Sequence, residues 1–318
     1  MGEATKFYAV KNKNKLILEK SSSGAVFDAM ARYVLNNNGY VLGAAFSADY
    51  EGVEYSICSS IEELARYRGS KYSQAVFKNT LENIKKLILN STNKIPVLIT
   101  GTPCHVEGIK RYFEALKLDT SNIFFCSLIC HGCSSPKIWK DYKKYKFDTD
   151  TLEAVYFKDK RKGWEKPTAL AMVRGKEIDI KDYMRLFNND MTLRPSCYEC
   201  KFSTTERMCD ISFGDFWGVK DSYPYFYDKK GVSLVIVHSE KGQKLFDSLR
   251  DVEYILVQKE HALQHNLVRP TSKPRGRDKF WKSYCRYSFE RIVRENEKRF
   301  LWIRLRFKLC KLFRRVKK

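Results

Sequence analysis

The sequence predicts an α/β fold: a mixed, largely parallel sheet with βαβ units, a smaller α+β portion, and a basic amphipathic helix at the C-terminus. Three observations carry this. The apolar run Ile95–Thr100 ends in Gly101-Thr102-Pro103-Cys104 and leads into VEGIKRYFEAL, whose apolar residues have helical spacing. The same order of strand, tight loop and helix recurs at Ile123–Ile129, Cys130–Pro136 and Lys137–Tyr145, as βαβ units require. Finally, Arg299–Lys318 holds nine Lys/Arg and no acid, with Trp302, Leu305, Leu309, Leu312, Phe313 and Val316 on one helical stripe.

The remaining elements follow in chain order. Phe7–Val10 reads as a strand, Leu16–Glu19 as a second after a turn at KNKNK, and a helix follows with Ser22 or Ser23 as N-cap. Val26, Met30, Tyr33 and Val34 form its apolar face. Gly39–Phe46 and Glu54–Cys58 are strand-like, with helices expected from Ile61 and over Thr80–Leu89. Thr102 suits an N-cap and Pro103 the first helical position, while Ser135 caps the next helix. Beyond Thr151 the strands shorten, with a hairpin at AMVRGKEIDI and a helix near Lys181–Phe187. Val232–Val237, a helix from Glu240 and Val252–Val257 close the body, and Arg269–Arg277 reads as a linker.

Composition narrows the function. Of 318 residues, 43% are hydrophobic and 14% aromatic, enough to build a core and exclude wholesale disorder. No apolar run reaches the length of a membrane span, and the N-terminus lacks a signal-peptide stretch, so a cytoplasmic location is expected. The formal charge is +22, and residues 275–318 alone carry 17 Lys/Arg against 4 Asp/Glu. That asymmetry points to an anionic surface near the C-terminus, with the chain docked peripherally on the inner face of the plasma membrane. Nucleic acid is not expected, because no helix-turn-helix, zinc finger or RNA-binding pattern is present. Neither GxGxxG nor GxxxxGK[ST] occurs, which removes the dinucleotide fingerprint and the P-loop.

Ten cysteines in a cytoplasmic chain call for metal binding, redox chemistry or plain burial rather than disulfides. Two C-x2-C pairs stand out, Cys130/Cys133 and Cys197/Cys200, with Cys104 and Cys209 as single contributors. Three chemistries fit the spacing: a four-cysteine zinc site, a Cys130/Cys133 dithiol between strand and helix, and an iron–sulfur cluster. Cys58, Cys126, Cys285 and Cys310 read as merely buried. Spacing alone leaves the three open.

Across about residues 5–265 the chain resembles the coenzyme F-420 hydrogenase/dehydrogenase beta-subunit family, in particular its bacterial, polysaccharide-biosynthesis-associated branch. The matching motifs are SSSGAVF (Ser21–Phe27), GSKY (Gly69–Tyr72), GTPCHVEGIK (Gly101–Lys110), CHGCSSPKIW (Cys130–Trp139), FKDKRKGW (Phe157–Trp164), LRPSCYECKF (Leu193–Phe202) and DISFGDFWG (Asp210–Gly218). The resemblance implies an oxidoreductase that binds FAD beside a 4Fe-4S cluster and moves electrons between a two-electron partner, a small-molecule or glycan-related substrate, and one-electron carriers. It assigns the cluster to Cys104, Cys130, Cys197 and Cys200. Cys133 and Cys209 fall where the family is variable or apolar. Many relatives carry a ferredoxin module with C-x2-C-x2-C-x3-C-P runs. None occurs here, so a separate ferredoxin or reductase is implied as electron partner.

The same resemblance divides the chain into a flavin-binding region (1–94), a region with the cluster cysteines (95–268), and a linker with basic tail (269–318). For the flavin, Ser22, Ser23 and Gly24 offer hydroxyls and N–H groups at a helix start, and Ser70, Lys71 and Tyr72 a hydroxyl, a cation and a ring. Thr102 and Lys160 are further cofactor candidates, with Trp164 close behind. His105 stands where the family carries Gln and reads as a local hydrogen-bonding residue.

Overall fold

The structure is a computed structural model that describes residues 5–90, 95–148 and 151–298. The chain opens with β1 (Lys6–Asn12), α1 (Lys15–Lys20), α2 (Val26–Asn36), β2 (Tyr40–Phe46), β3 (Val53–Cys58) and the short β4 (Ala75–Val76). Next come α3 (Thr80–Asn90), β5 (Val97–Gly101), α4 (Pro103–Ala115), β6 (Ile123–Leu128) and α5 (Pro136–Phe147). A hairpin region holds β7 (Leu152–Asp159), β8 (Thr168–Val173), β9 (Lys176–Asp179) and α6 (Lys181–Asn188). The body then closes with β10 (Ile211–Asp215), α7 (Val219–Ser222), β11 (Ser233–Val237), α8 (Glu240–Asp247), β12 (Val252–Leu256), α9 (Lys259–Ala262) and α10 (Arg277–Arg286).

Nine strands form one sheet in the order β12-β1-β11-β10-β6-β5-β2-β3-β4. Its centre, β10-β6-β5-β2, is parallel throughout, and antiparallel pairs flank it. Strand β1, from the start of the chain, is sandwiched between β11 and β12 from near its end. Both faces of the centre are covered, as parallel sheets demand. Along β5, Leu98 joins a cluster with α2 and α8, while Val97 and Ile99 join the opposite cluster with Ile84 of α3 and Val106, Ile109 and Phe113 of α4. Helix α2 is buried around most of its circumference, Val26, Ala29, Met30, Ala31 and Val34 included. Each large apolar side chain so enclosed contributes about 1.5–3 kcal/mol. The three-stranded sheet β7-β8-β9 packs with α5 and α6 around Trp139, Tyr142 and Tyr183.

The mixed α/β architecture and both βα units are as the sequence predicts. Local differences have local causes. Leu16–Glu19 is helical, not extended, because Asn14 caps it by accepting from the N–H groups of Leu16 (3.0 Å) and Ile17 (3.2 Å). Ser22 and Ser23 do not cap α2: Ala25 holds the N-cap position with φ +64°, and both serines bond elsewhere. The helix from Ile61 shrinks to one 3₁₀ turn, Glu63–Arg66. Thr102 and Ser135 sit at N-cap positions without side-chain capping bonds, and the prolines after them start the helices. Arg269–Arg277 is irregular yet anchored, for Thr271 Oγ1 donates to the His131 carbonyl at 2.8 Å. Trp281, Tyr284 and Phe289 then pack on the cluster around Trp139. The amphipathic stripe expected over Arg299–Lys318 lies outside the described residues. Among the described residues no helix is long and apolar enough to cross a membrane.

Candidate functional site

Parallel strands place their carboxyl ends on one edge of the sheet, and ligands of open α/β folds bind there. A cavity of about 430 Å³ opens at that edge, within the range of roughly 300–1,000 Å³ usual for small-molecule sites. Ala44 of β2, Thr100 and Gly101 of β5, Leu128 of β6 and Phe213–Asp215 of β10 line it. Ser21–Ser23, the Arg68–Ser73 loop and the Cys130–Cys133 loop complete the wall.

Cys130 and Cys133 line this cavity, and Cys104, Cys197 and Cys200 are close enough to influence one another and this pair electrostatically. Cys104 follows β5 in the first turn of α4, and Cys130 follows β6. The loop after β6 pairs with the segment before Cys197 through a bridge between Ser134 and Leu193 and an Arg194 N–H to Cys133 carbonyl bond of 3.0 Å. The Cys133 N–H also donates to the Cys197 sulfur. As a result Cys104 lies within electrostatic reach of Cys130 and Cys200, and Cys197 of Cys130, Cys104 and Cys200. All four sulfurs assigned from the resemblance, contributed by three loops, therefore share one neighbourhood. Burial raises the Cys104 and Cys197 thiols, partly offset by the Thr102 hydroxyl and the Cys133 N–H respectively.

Cys133, discounted from sequence, stands inside the group. The two neighbouring thiols act on each other's protonation, which draws Cys130 down and pushes Cys133 up. Gly132 makes this turn possible, because its φ is +153° and a Cβ there would meet Leu193 Cδ1 at 2.8 Å. Cys209 is buried apart, in a network with Ser127 (3.3 Å) and Ser212 (3.4 Å). The Arg207 guanidinium bridges that network to the site, donating to Ser127 Oγ and to the Leu128 carbonyl (2.9 Å) beside Cys130 and Cys200. Among the described residues no three His, Cys, Asp or Glu side chains converge tightly enough to hold a single metal ion.

The flavin candidates divide into cavity walls and supports. Ser22, Ser23, Ser70, Lys71, Tyr72 and Thr102 all line the cavity. Gly24 does not: its Cβ would lie 2.1 Å from the Val10 carbonyl oxygen, so it serves the close approach of the chain to its own strand. Lys160 does not line it either, but donates to the carbonyls of Leu18 (2.7 Å), Ser23 (3.0 Å) and Lys230, pinning the serine loop from behind. Burial draws its amine down to about 7. Lys71 has the same habit, donating to the carbonyls of Arg66, Tyr67 and Arg68 at 2.9–3.1 Å. Tyr72 is wedged against Phe187 and Phe157.

His105 accepts or donates at Nδ1 with Tyr55 Oη (3.1 Å) and is lowered by burial, then by Arg194. Tyr55 is pushed up by burial and by Cys133, Cys104 and Cys130 around it. Sequence reading missed the β10 end of the cavity. There Lys158 donates to both oxygens of Asp215 at 2.6 Å, and Trp164 Nε1 donates to the same carboxylate at 2.7 Å. Trp164 stacks on the half-exposed, cavity-lining Trp217 with centroids 5.0 Å apart and planes 2° from parallel. The motifs FKDKRKGW and DISFGDFWG that bring these residues together were visible; their pairing was not.

Comparison with known proteins agrees with this architecture. The chain is similar in fold to a subunit in the F420-reducing [NiFe] hydrogenase complex from Methanosarcina barkeri, with a TM-score of 0.54 at 15% identity, over 94% of this chain and 91% of that one. No protein of curated function matches the sequence. Residues 96–262, which hold all of the gathered cysteines, match the family described as the C terminus of the coenzyme F420 hydrogenase/dehydrogenase beta subunit. Over more than half its length, then, the chain is a member of the coenzyme F420 hydrogenase/dehydrogenase beta-subunit family, a family of oxidoreductases.

Proposed function

We propose that this oxidoreductase works with FAD and a 4Fe-4S cluster, the cluster held by Cys104, Cys130, Cys197 and Cys200. The observation that carries the reading is that thiols from two other loops come within electrostatic reach of Cys130, which itself lines a ligand-sized cavity on the carboxyl edge of parallel strands. The donor set suits iron–sulfur chemistry, since clusters are held by cysteine thiolates. When bound, a flavin handles electron pairs and a cluster single electrons, the conversion such a pairing provides. The chain's own part is placement. Ser22, Ser70 and Thr102 present hydroxyls, Tyr72 and Trp217 present rings, and Phe213, Leu128 and Ile129 exclude water. The carboxylate of Asp215, held by Lys158 and Trp164, fixes charge at one wall.

On this reading the substrate is a small, glycan-related molecule and the electrons come from a separate ferredoxin or reductase. The basic segment Arg299–Lys318 would hold the enzyme at an anionic membrane. Protein purified without oxygen should be brown, absorb broadly near about 400 nm, and carry iron, sulfide and flavin. Colourless protein free of iron and flavin would overturn the proposal. Flotation with anionic vesicles, compared with a form ending at Thr271, tests the membrane role; equal flotation rules it out.

One observation favours a second reading, a dithiol enzyme: Cys130 and Cys133 are both free thiols, line the cavity directly after β6 and influence each other's protonation. A reversible disulfide between these two in iron-free, active protein would establish it.

A further inference from the structure

Two cationic side chains line the cavity, Arg68 and Lys71. An ammonium has three donors, and those of Lys71 go to three backbone carbonyls. It has none left for a ligand. Arg68 is arranged differently. Its Nε donates to Asp28 Oδ2 at 2.5 Å, and the other oxygen of that fully buried carboxylate takes Arg32 Nε at 2.6 Å. One carboxylate thus serves two guanidinium groups and one positive charge stays unbalanced. The terminal N–H donors of Arg68 meet no protein acceptor among the described residues, although its side chain is only 13% exposed. A sequestered cation of this kind calls for an anion.

Two hydroxyls of residues along the same wall have hydrogen-bonding capacity to spare. Ser73 Oγ is buried without a hydrogen-bond partner. Ser22 Oγ accepts from Ser70 twice, which leaves its own proton to donate. Both residues line the cavity with Arg68.

We propose that Arg68, held in place by Asp28, is the anion-binding residue of the cavity and takes a phosphate or diphosphate group of the ligand, with Ser22 and Ser73 as hydroxyl donors. The anion site stands on the cavity wall itself; that the phosphate belongs to FAD rests on the function proposed above.

Binding of FAD, riboflavin and inorganic pyrophosphate to the full chain, by calorimetry, separates the two. FAD should bind more tightly than riboflavin. Arg68→Met should weaken FAD about ten- to hundredfold and leave riboflavin unchanged, the loss expected for charge-assisted hydrogen bonds. An unaltered preference for FAD over riboflavin in Arg68→Met overturns the site while leaving the flavin reading intact. Pyrophosphate binding that depends on Arg68, in a protein that binds neither flavin, keeps the site and overturns its assignment to FAD. A chain that binds neither FAD nor pyrophosphate overturns both. Should Arg68→Met fail to fold, Arg32→Met removes the excess charge while the Arg68–Asp28 pair remains. It should weaken pyrophosphate several-fold, and unchanged binding counts against the site.

Discussion

The hydroxyl of Ser22 accepts both the backbone N–H (2.6 Å) and the hydroxyl (2.8 Å) of Ser70, tying two cavity loops that lie 48 residues apart. Neither serine caps a helix. Their pairing makes one wall from two motifs, SSSGAVF and GSKY.

Breaking this tie tests whether it shapes the ligand site. Ser22→Ala leaves the Ser70 N–H without its acceptor and should cost about 1 kcal/mol of stability. Flavin content of the purified protein should drop by more than that modest loss accounts for. Unchanged flavin content would mean the two loops hold their shape without the bond.

Lys160 supports the same loop from the opposite side. Lys160→Met strands the carbonyls of Leu18, Ser23 and Lys230 and should destabilise the chain by about 2 kcal/mol or more in denaturant titrations. The pH dependence has a definite sign. The folded amine lies near 7 and the unfolded one near about 10.4, so the unfolded chain binds more protons between those values. Stability from this group therefore rises with pH. The gap between wild type and Lys160→Met should widen from pH 7 to pH 9, and a constant gap refutes the assignment.

The cysteines are separable by iron content. Serine at Cys104, Cys130, Cys197 or Cys200 should each remove most of the iron from protein prepared without oxygen. Cys133→Ser should keep it, because Cys133 acts through its influence on the Cys130 thiol and its N–H to Cys197. Iron lost from Cys133→Ser but retained in Cys200→Ser would reassign the ligands.

Gly132→Ala probes the turn between the paired cysteines. It forces a side chain into a positive-φ position and against Leu193, and should cost about 1–2 kcal/mol. Iron incorporation should fall as the Cys130–Cys133 loop shifts. Full iron with full stability would show that the loop relaxes freely.

The central fold was legible because it follows hydrophobic periodicity and punctuation. Ile95–Thr100 and Ile123–Ile129 are short apolar runs that end in tight turns, and Thr102-Pro103 and Ser135-Pro136 mark helix starts. The errors lie where a single contact outweighs propensity. Asn14 turns Leu16–Glu19 into a helix, and the left-handed Ala25 moves the start of α2 past the serines. Arg68 escaped notice because it directly precedes the GSKY motif. Its one visible signal was the Asp28–Arg32 pair at i,i+4 on a helix too apolar to leave that carboxylate in water. Lys71 and Lys160 were credited with ligand contact because sequence reports a charge but not where its donors point.

The near-parallel indoles of Trp164 and Trp217 give the molecule an optical gauge. Two transition dipoles at 5.0 Å couple, and their near-ultraviolet circular dichroism reports the stack. Only the outer ring faces the cavity, so an arriving guest perturbs one partner of the couple and not the other. Occupancy can thus be followed in unlabelled protein, before the identity of the guest is known.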